Sequence, residues 1–299
     1  MNLAIVNARY NSSRFPGKLM QPLYQGRPVL DLFFERIKKV QAMDEFVLAT
    51  QDEPINRPLW KIAEKHKIPV FTSNLPKLPS GAEDVLGRTK EVAEKLHANT
   101  ILRVTPDNPC LHYELIHRVL LQYYMNRNGL GYTSNCWYKG FPRGMEVEVF
   151  SREVLEVAYE QTGGDRPVRA HWWSRSLFKR AQQEALYDRE HVTTFIRRFP
   201  RRFGHADLPP VTGFRADAQG NGVQLSEAFP ECRLTLDYPA DLEVLRNVFT
   251  ELYPATETVG PNGEKIKRGD GEFSLMDIRQ LWETKRELFK ANSHIEQKG

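Results

Sequence analysis

Three cations crowd one short segment, NARYNSSRFPGKL (residues 7–19): Arg9, Arg14 and Lys18. Ser12, Ser13 and Gly17 lie between them and can present backbone N–H groups. The segment thus offers both charge and donors to a polyanion such as a polyphosphate. Its spacing matches neither common phosphate loop. Gly17-Lys18 is followed by Leu19 rather than Ser or Thr, position 12 is Ser rather than Gly, and no GxGxxG is present. A solvated basic turn is the other reading of the same residues. Two acids elsewhere could complete a site. Asp107 and Asp237 each follow an apolar run, and carboxylates at strand ends can hold a divalent cation against phosphate oxygens. Each could equally be a turn or cap residue; in DYPAD, Asp241 could bond backbone amides.

The elements that must carry these residues alternate. LAIV (3–6) and EFVLAT (45–50) read as buried strands, with shorter candidates at 69–71, 100–105 and 130–135. Between them, 28–40, 54–66, 82–97 and 112–125 read as amphipathic helices; Val29, Leu32, Phe33, Ile37 and Val40 line one face of the first. Strand and helix in repeated alternation imply a mainly parallel sheet with helices on both faces. Ligands of such sheets bind beyond the carboxyl ends of the strands, where the loop at 7–18 begins. After residue 136 the rhythm changes. A half-exposed strand is expected at 144–150, a helix at 151–161, a late strand at 232–236 and a helix at 239–252. The Gly- and Pro-containing stretch 254–272 reads as a mobile surface loop, and a last helix at 274–290 has Ser274 and Asp277 as a capping pair.

Composition excludes several classes. The 299 residues are 40% hydrophobic and 27% charged, with net charge +4, which suits a globular chain and shows no basic stripe for nucleic acid. Cys110, Cys136 and Cys232 form no CxxC pair, so neither a disulfide framework nor a zinc site is expected. With no signal-like N-terminus and no long apolar run, no membrane partner is expected and a cytoplasmic location is.

The loop, read as xARxxSxRxPxK and followed by GRPVL (26–30), resembles the nucleotide-sugar cytidylyltransferase superfamily, nearest to its spore-coat-polysaccharide and acylneuraminate cytidylyltransferase-like branch. The resemblance continues in order through FVLATQD (46–52), EDVLGRTKEVAEK (83–95), ILRVTPDNPCL (101–111), FPRGMEVEVFS (141–151), REHVTTFIRRFP (189–200) and RLTLDYPADLEVLRNVF (233–249). It implies a single α/β domain of the GT-A-like, Rossmann-like kind. Residues 1–135 would be the nucleotide-binding core, and 136–299 a smaller β-containing acceptor and dimerisation part. It also implies Mg²⁺-dependent transfer of CMP from CTP, with Lys18, Arg14, Asp107 and Asp237 catalytic and the two aspartates holding the metal.

Nucleotide contacts would come from Asn7, Ala8, Arg9, Ser12, Ser13, Arg14, Lys18, Asp84 and Arg88. The acceptor side would use Arg143, Glu146 and Glu148, with Arg189, Glu190 and His191 at a helix start. Pro106 stands where relatives commonly carry glycine, and Arg143 where they tend to carry an acid. With Arg166, Arg169, Arg175 and Lys179 in the Trp/Arg-rich segment, Arg143 suggests a small acidic acceptor. That segment could instead be the interface of a homodimer. Two other readings stand beside this one: a GT-A-like glycosyltransferase, and a non-catalytic nucleotide-binding protein.

Overall fold

Leu3, Ala4, Ile5 and Val6 are all fully buried, so the first strand has a covered face on either side. A strand apolar at both parities belongs in the middle of a sheet coated by helices. The computed structural model, which describes residues 1–125, 131–137, 140–164, 175–216, 222–259 and 265–295, places it there.

The first part of the chain runs β1 (Asn2–Asn7), a β2–β3 ribbon (Pro22–Tyr24 and Arg27–Pro28), α1 (Val29–Ile37), β4 (Glu45–Gln51), α2 (Arg57–Lys65) and β5 (Val70–Ser73). It continues with α3 (Val85–Lys95), β6 (Thr100–Val104) and α4 (Tyr113–Met125). Next come β7 (Tyr132–Ser134), β8 (Glu148–Ser151), α5 (Arg152–Gln161), α6 (Arg175–His191), α7 (Thr194–Arg198) and β9 (His205–Asp207). The last elements are a β10–β11 hairpin (Thr212–Ala216 and Gly222–Ser226), α8 (Pro239–Leu252), a β12–β13 hairpin (Thr256–Val259 and Lys265–Arg268) and α9 (Leu275–Thr284).

Seven strands form one sheet in the order β5-β4-β1-β6-β8-β7-β9. β5, β4, β1 and β6 are parallel, β8 runs antiparallel to both β6 and β7, and β9 is parallel to β7. This is the mixed but mainly parallel α/β sheet expected. Ala4, Val6, Leu48, Leu102 and Val104 pack on one side with residues of α1, α4, α8 and α9. Leu3, Ile5, Val47, Ala49 and Ile101 pack on the other with residues of α3, α5 and α7. Each fully buried Leu, Ile or Phe contributes about 1.5–3 kcal/mol, against about 0–1 kcal/mol for an exposed ion pair. The two apolar layers therefore hold the fold, and charge at the sheet's carboxyl edge is available for other work.

Four local expectations need correction. The strand expected at 144–150 is confined to Glu148–Ser151 and is covered rather than half-exposed, because it lies inside the sheet with Val149 in one apolar layer and Phe150 in the other. Residues 232–236 are extended but form no ladder; Arg233 makes one isolated bridge with Arg143. Their other backbone bonds go to loops, Leu234 N donating to Arg143 O (2.7 Å) and Leu236 N to Asp107 O (2.8 Å). The segment 254–272 is not all loop, since alternating Thr256–Val259 pairs with Lys265–Arg268. The last helix ends at Thr284 before a short 3-10 turn (Arg286–Phe289), although the Ser274–Asp277 capping box forms as expected.

Candidate active site

The carboxyl ends of β1, β4 and β6 open on the same edge, and the loop after β1 curls over it. Asn56 holds the loop's root, accepting from Tyr10 N (2.9 Å) while donating to Gln51 O (3.0 Å). Gly17 turns the chain with a φ of 71°, a conformation that glycine adopts without strain, and delivers Lys18 into the interior.

Lys18 is 8% exposed. Its Nζ donates to Asp107 Oδ2 (2.8 Å), Leu236 O (2.6 Å) and Asp237 Oδ1 (3.2 Å). Three acceptors meet the three N–H donors of one ammonium. Arg14, half-exposed, reaches the same Asp237 oxygen at 2.6 Å and lies 5.7 Å from the Tyr238 ring centroid. The four residues expected to be catalytic are thus in one cluster.

Asp237 is positioned from behind. Arg233 Nη2 donates to Asp237 Oδ2 (3.1 Å), and Arg233 is itself held by Asp241 through Nε (2.8 Å) and Nη2 (3.1 Å). Asp241 also accepts from the backbone N of Asp237 and Tyr238 (2.9 Å each), as DYPAD suggested, and from Asn292 Nδ2 (3.0 Å). Gly144 lets this segment approach the 143–146 turn: its φ is 104°, and a Cβ there would fall 2.5 Å from the Leu234 carbonyl carbon. Arg233 and Asn292 were not singled out in the sequence, and Asp241 was expected there only as a turn residue bonding backbone amides, not as the anchor of Arg233. Arg233 carries a signal in hindsight, a cation inside the apolar run CRLTL, where a buried Arg needs a partner.

Burial alone would raise the Asp237 carboxyl. The Lys18 ammonium and Arg14 guanidinium more than offset that and hold it at about 2. Because the folded carboxyl has the lower pKa, its charge stabilises the fold fully above the unfolded value near 4. That contribution, about 2 kcal/mol at neutral pH, is lost as pH falls toward 2. Asp237→Asn is expected to flatten the acid limb of a melting-temperature profile in this range. An unchanged acid limb would show that the carboxylate is not so held.

Of the other residues expected on the nucleotide side, Asn7 and Arg88 meet at the end of β1. Arg88 Nε donates to Asn7 Oδ1 (3.1 Å) and Nη1 to Glu83 Oε2 (2.7 Å), while Asn7 Nδ2 donates to Thr89 Oγ1 (3.0 Å). Ala8 N donates to Ala49 O, so the sheet uses its amide. Ser12 and Ser13 stay on the loop, Ser12 N bonding Tyr10 O. Arg9 faces Glu190 at 3.9 Å with both side chains about one-third exposed, a loose pair worth about 0–1 kcal/mol that a phosphate would displace.

Asp84 turns inward. It caps α3 by accepting from Gly87 N (2.8 Å) and takes a two-pronged ion pair from buried Arg189. The structure thus brings Arg189 to a residue expected on the nucleotide side rather than to the other acceptor candidates. Arg189, Glu190 and His191 form the last turn of α6, not a helix start. The chain turns at once at Val192, which takes φ 58° while Thr193 N bonds His191 O. Burial lowers the His191 pKa, and the fields of Arg103, Arg197 and Arg14 add to it against the opposing field of Glu190.

Glu146 accepts from Asn108 Nδ2 (3.1 Å) and Gly144 N (2.9 Å), and burial pushes its carboxyl up. Glu148 takes Arg103 on one oxygen and Tyr132 OH (2.6 Å) on the other. Burial opposes its charge, but Arg103 and Arg197 keep the carboxyl below its ordinary value. Arg143 has its backbone oxygen in the bond to Leu234. Residues 165–174, with Arg166 and Arg169, and the side chains of Arg175 and Lys179 lie outside the described residues.

Among the described residues, no three or more His, Cys, Asp or Glu side chains are grouped to hold a metal. Asp107 and Asp237 fit Mg²⁺ in another manner. Both are oxygen donors converging on one point, now the Lys18 ammonium, and Mg²⁺ is commonly bound by one or two carboxylates with substrate phosphates and water.

An edge of strand ends with clustered cations and facing carboxylates defines a Rossmann-like α/β nucleotidyltransferase fold, and solved structures share it. A cytidylyltransferase from Leptospira borgpetersenii serovar Hardjo-bovis aligns over 100% of this chain and 99% of its own, with TM-score 0.71 and 19% identity. CMP:2-keto-3-deoxy-manno-octonic acid synthetase complexed with CTP aligns over 84% of this chain and 98% of its own, with TM-score 0.52 and 15% identity.

Residues 3–253 match the family model described as cytidylyltransferase, and the chain belongs to that family. It is a CTP-dependent nucleotidyltransferase. Its relatives include the spore coat polysaccharide biosynthesis protein SpsF of Bacillus subtilis (strain 168), 27% identical over 83% of this chain and 85% of that protein. Another is 3-deoxy-manno-octulosonate cytidylyltransferase 2 of Hydrogenovibrio crunogenus, 31% identical over 80% of this chain and 94% of that protein. Among the described residues no helix is long and apolar enough to cross a membrane.

Proposed function

We propose that this enzyme transfers CMP from CTP to a small acidic acceptor, releasing pyrophosphate. The observation that carries this reading is the buried Lys18 ammonium held between Asp107 and Asp237, with Arg14 on the same carboxylate. These groups meet at the edge where a family substrate, CTP, would lay its triphosphate. An acceptor oxygen attacks the α-phosphorus, a new P–O bond forms, and the bond to pyrophosphate breaks; a hydroxyl's proton leaves to solvent. Arg9 and Arg14 hold the departing phosphates, and Lys18 meets the charge that grows on the α-phosphate oxygens. Asn7 and Arg88 line the nucleoside end. Mg²⁺, held by Asp107 and Asp237, would neutralise charge on the phosphate oxygens.

The name of one relative, a spore coat polysaccharide biosynthesis protein, supports a role in polysaccharide biosynthesis. A sugar acid, or a small phosphate or phosphonate, suits the cationic acceptor side.

Pyrophosphate release with four nucleoside triphosphates against a panel of such acceptors tests the reading. CTP with an acid is expected to give product and EDTA to stop it. Asp107→Ala is expected to lower turnover about 100-fold or more. Full turnover by that variant, or in EDTA, would remove the metal assignment. No pyrophosphate from any pair would remove the transfer itself.

A further inference from the structure

The inner face of the sheet under α3, α5 and α7 is apolar until its carboxyl end. Leu3, Ile5, Ile101, Tyr132 and Phe150 line it. The next positions outward are Asn7 on β1, Arg103 on β6, Glu148 on β8 and Ser134 on β7. Arg103 is in register with Glu148, and Glu148 with Ser134, so these side chains share that face.

The charges in this row do not balance. Glu148 is 3% exposed, and its two oxygens are occupied by Arg103 and by Tyr132 OH. Arg197 approaches from α7 and is held charged mainly by Glu148, against the desolvation that burial imposes. Its guanidinium nevertheless has no hydrogen-bond or ion-pair partner among the described residues. Arg103 Nε is also buried without a partner there. Two guanidiniums thus face one carboxylate, and the buried Arg103 Nε keeps a donor free, so this place carries one cation more than its acid and can accept an anion. Guanidinium groups suit carboxylate and phosphate oxygens in particular. β1, paired with β6, ends at Asn7 in this same row and leads directly into the loop that carries Arg14 and Lys18, which puts this spot beside the triphosphate clamp. Past Ser134 the row runs on to His205 and Asp207 of β9 and to half-exposed Trp137, lining an open cleft of about 480 Å³. The cleft can take the body of a hydroxylated acceptor.

We propose that Arg103 and Arg197 bind the anionic group of the acceptor, a carboxylate or a phosphate, and so select acids over neutral alcohols. This rests on the CMP-transfer reading and names residues that the sequence did not single out.

The main test is Arg197→Gln, which removes a guanidinium without stranding a partner. Arg103→Lys is the second variant, because it keeps a cation beside Glu148. Pyrophosphate release with CTP is measured for sugar acids, their neutral amides and small phosphomonoesters. The wild-type enzyme is expected to prefer anionic acceptors, and Arg197→Gln to lower their kcat/KM about 10- to 100-fold. CTP-induced thermal stabilisation should be unchanged in the variant. Whether the carboxylates or the phosphomonoesters suffer that loss identifies the anion. Amides that serve as well as acids, or acids used equally by Arg197→Gln, would overturn the proposal. Failure of CMP transfer is separately visible as no pyrophosphate with any acceptor. In that event thermal stabilisation by the acids alone still decides: a shift lost in Arg197→Gln upholds the anion site, and no shift in the wild-type protein overturns it.

Discussion

Lys18→Met is expected to lower kcat/KM with CTP about 1,000-fold while leaving the fold intact. Methionine keeps the length and apolar stem of the side chain but has no charge to place on the α-phosphate. Losing one preorganised group that meets developing transition-state charge costs about 2.7–4 kcal/mol. The effect on stability should be much smaller. Asp237 keeps Arg14 and Arg233 as partners, and the Asp107 side chain is 26% exposed, so water can solvate it. Lys18→Arg is expected to restore little. The site accepts three N–H donors from one compact atom, bound by Asp107, Asp237 and Leu236 O, and a planar guanidinium cannot reproduce that geometry. Steady-state pyrophosphate release, with circular dichroism as the control on folding, checks both variants. Near-wild-type kcat/KM in Lys18→Met would take the lysine out of the chemistry.

Asp241→Ala is expected to cost about 3–5 kcal/mol of folding stability, the range for removing one partner of a buried ion pair. Asp241 is fully buried and binds Arg233, Asn292 and two backbone amides. Without it Arg233, itself 5% exposed, has Asp237 as its remaining carboxylate and competes with Lys18 and Arg14 for it. Activity should therefore fall together with stability, although Asp241 makes no contact with Lys18 or Arg14. Asp241→Asn keeps an acceptor for the amides of Asp237 and Tyr238 and should lose less. Denaturant unfolding measures the difference. A loss below about 1 kcal/mol in Asp241→Ala would show that the network is not what anchors the Asp237 turn.

Much of this was legible in the residues themselves. Buried strands announce themselves by apolar content, and β1, β4 and β6 stand where LAIV, EFVLAT and TILRVT predict them. Helical periods located α1 to α4, and Ser274 with Asp277 located the cap of α9. These signals are local, carried by neighbours within a turn or a pleat. Arg14, Lys18, Asp107 and Asp237 were also marked as chemistry-bearing by type and by their place after apolar runs.

What the sequence could not decide is which of these groups touch. Lys18 and Asp237 are separated by 219 residues, and Arg14 and Asp237 by 223. No local period encodes such a pairing; it follows only when strand order brings the loop after β1 beside the segment before α8. The alternation in CRLTL likewise could not reveal whether it joined the sheet, because an extended chain looks the same with or without a neighbour to bond. Arg103 and Arg197 make the same point. One sits in an apolar strand and the other on a short helix, and their shared excess of charge exists only where β6, β8 and α7 meet around Glu148. Residue type and local pattern determined which elements form and which side chains can do chemistry. The packing of distant elements on one sheet decided which charges meet, because burial and Coulomb energy depend on distance in space and not along the chain.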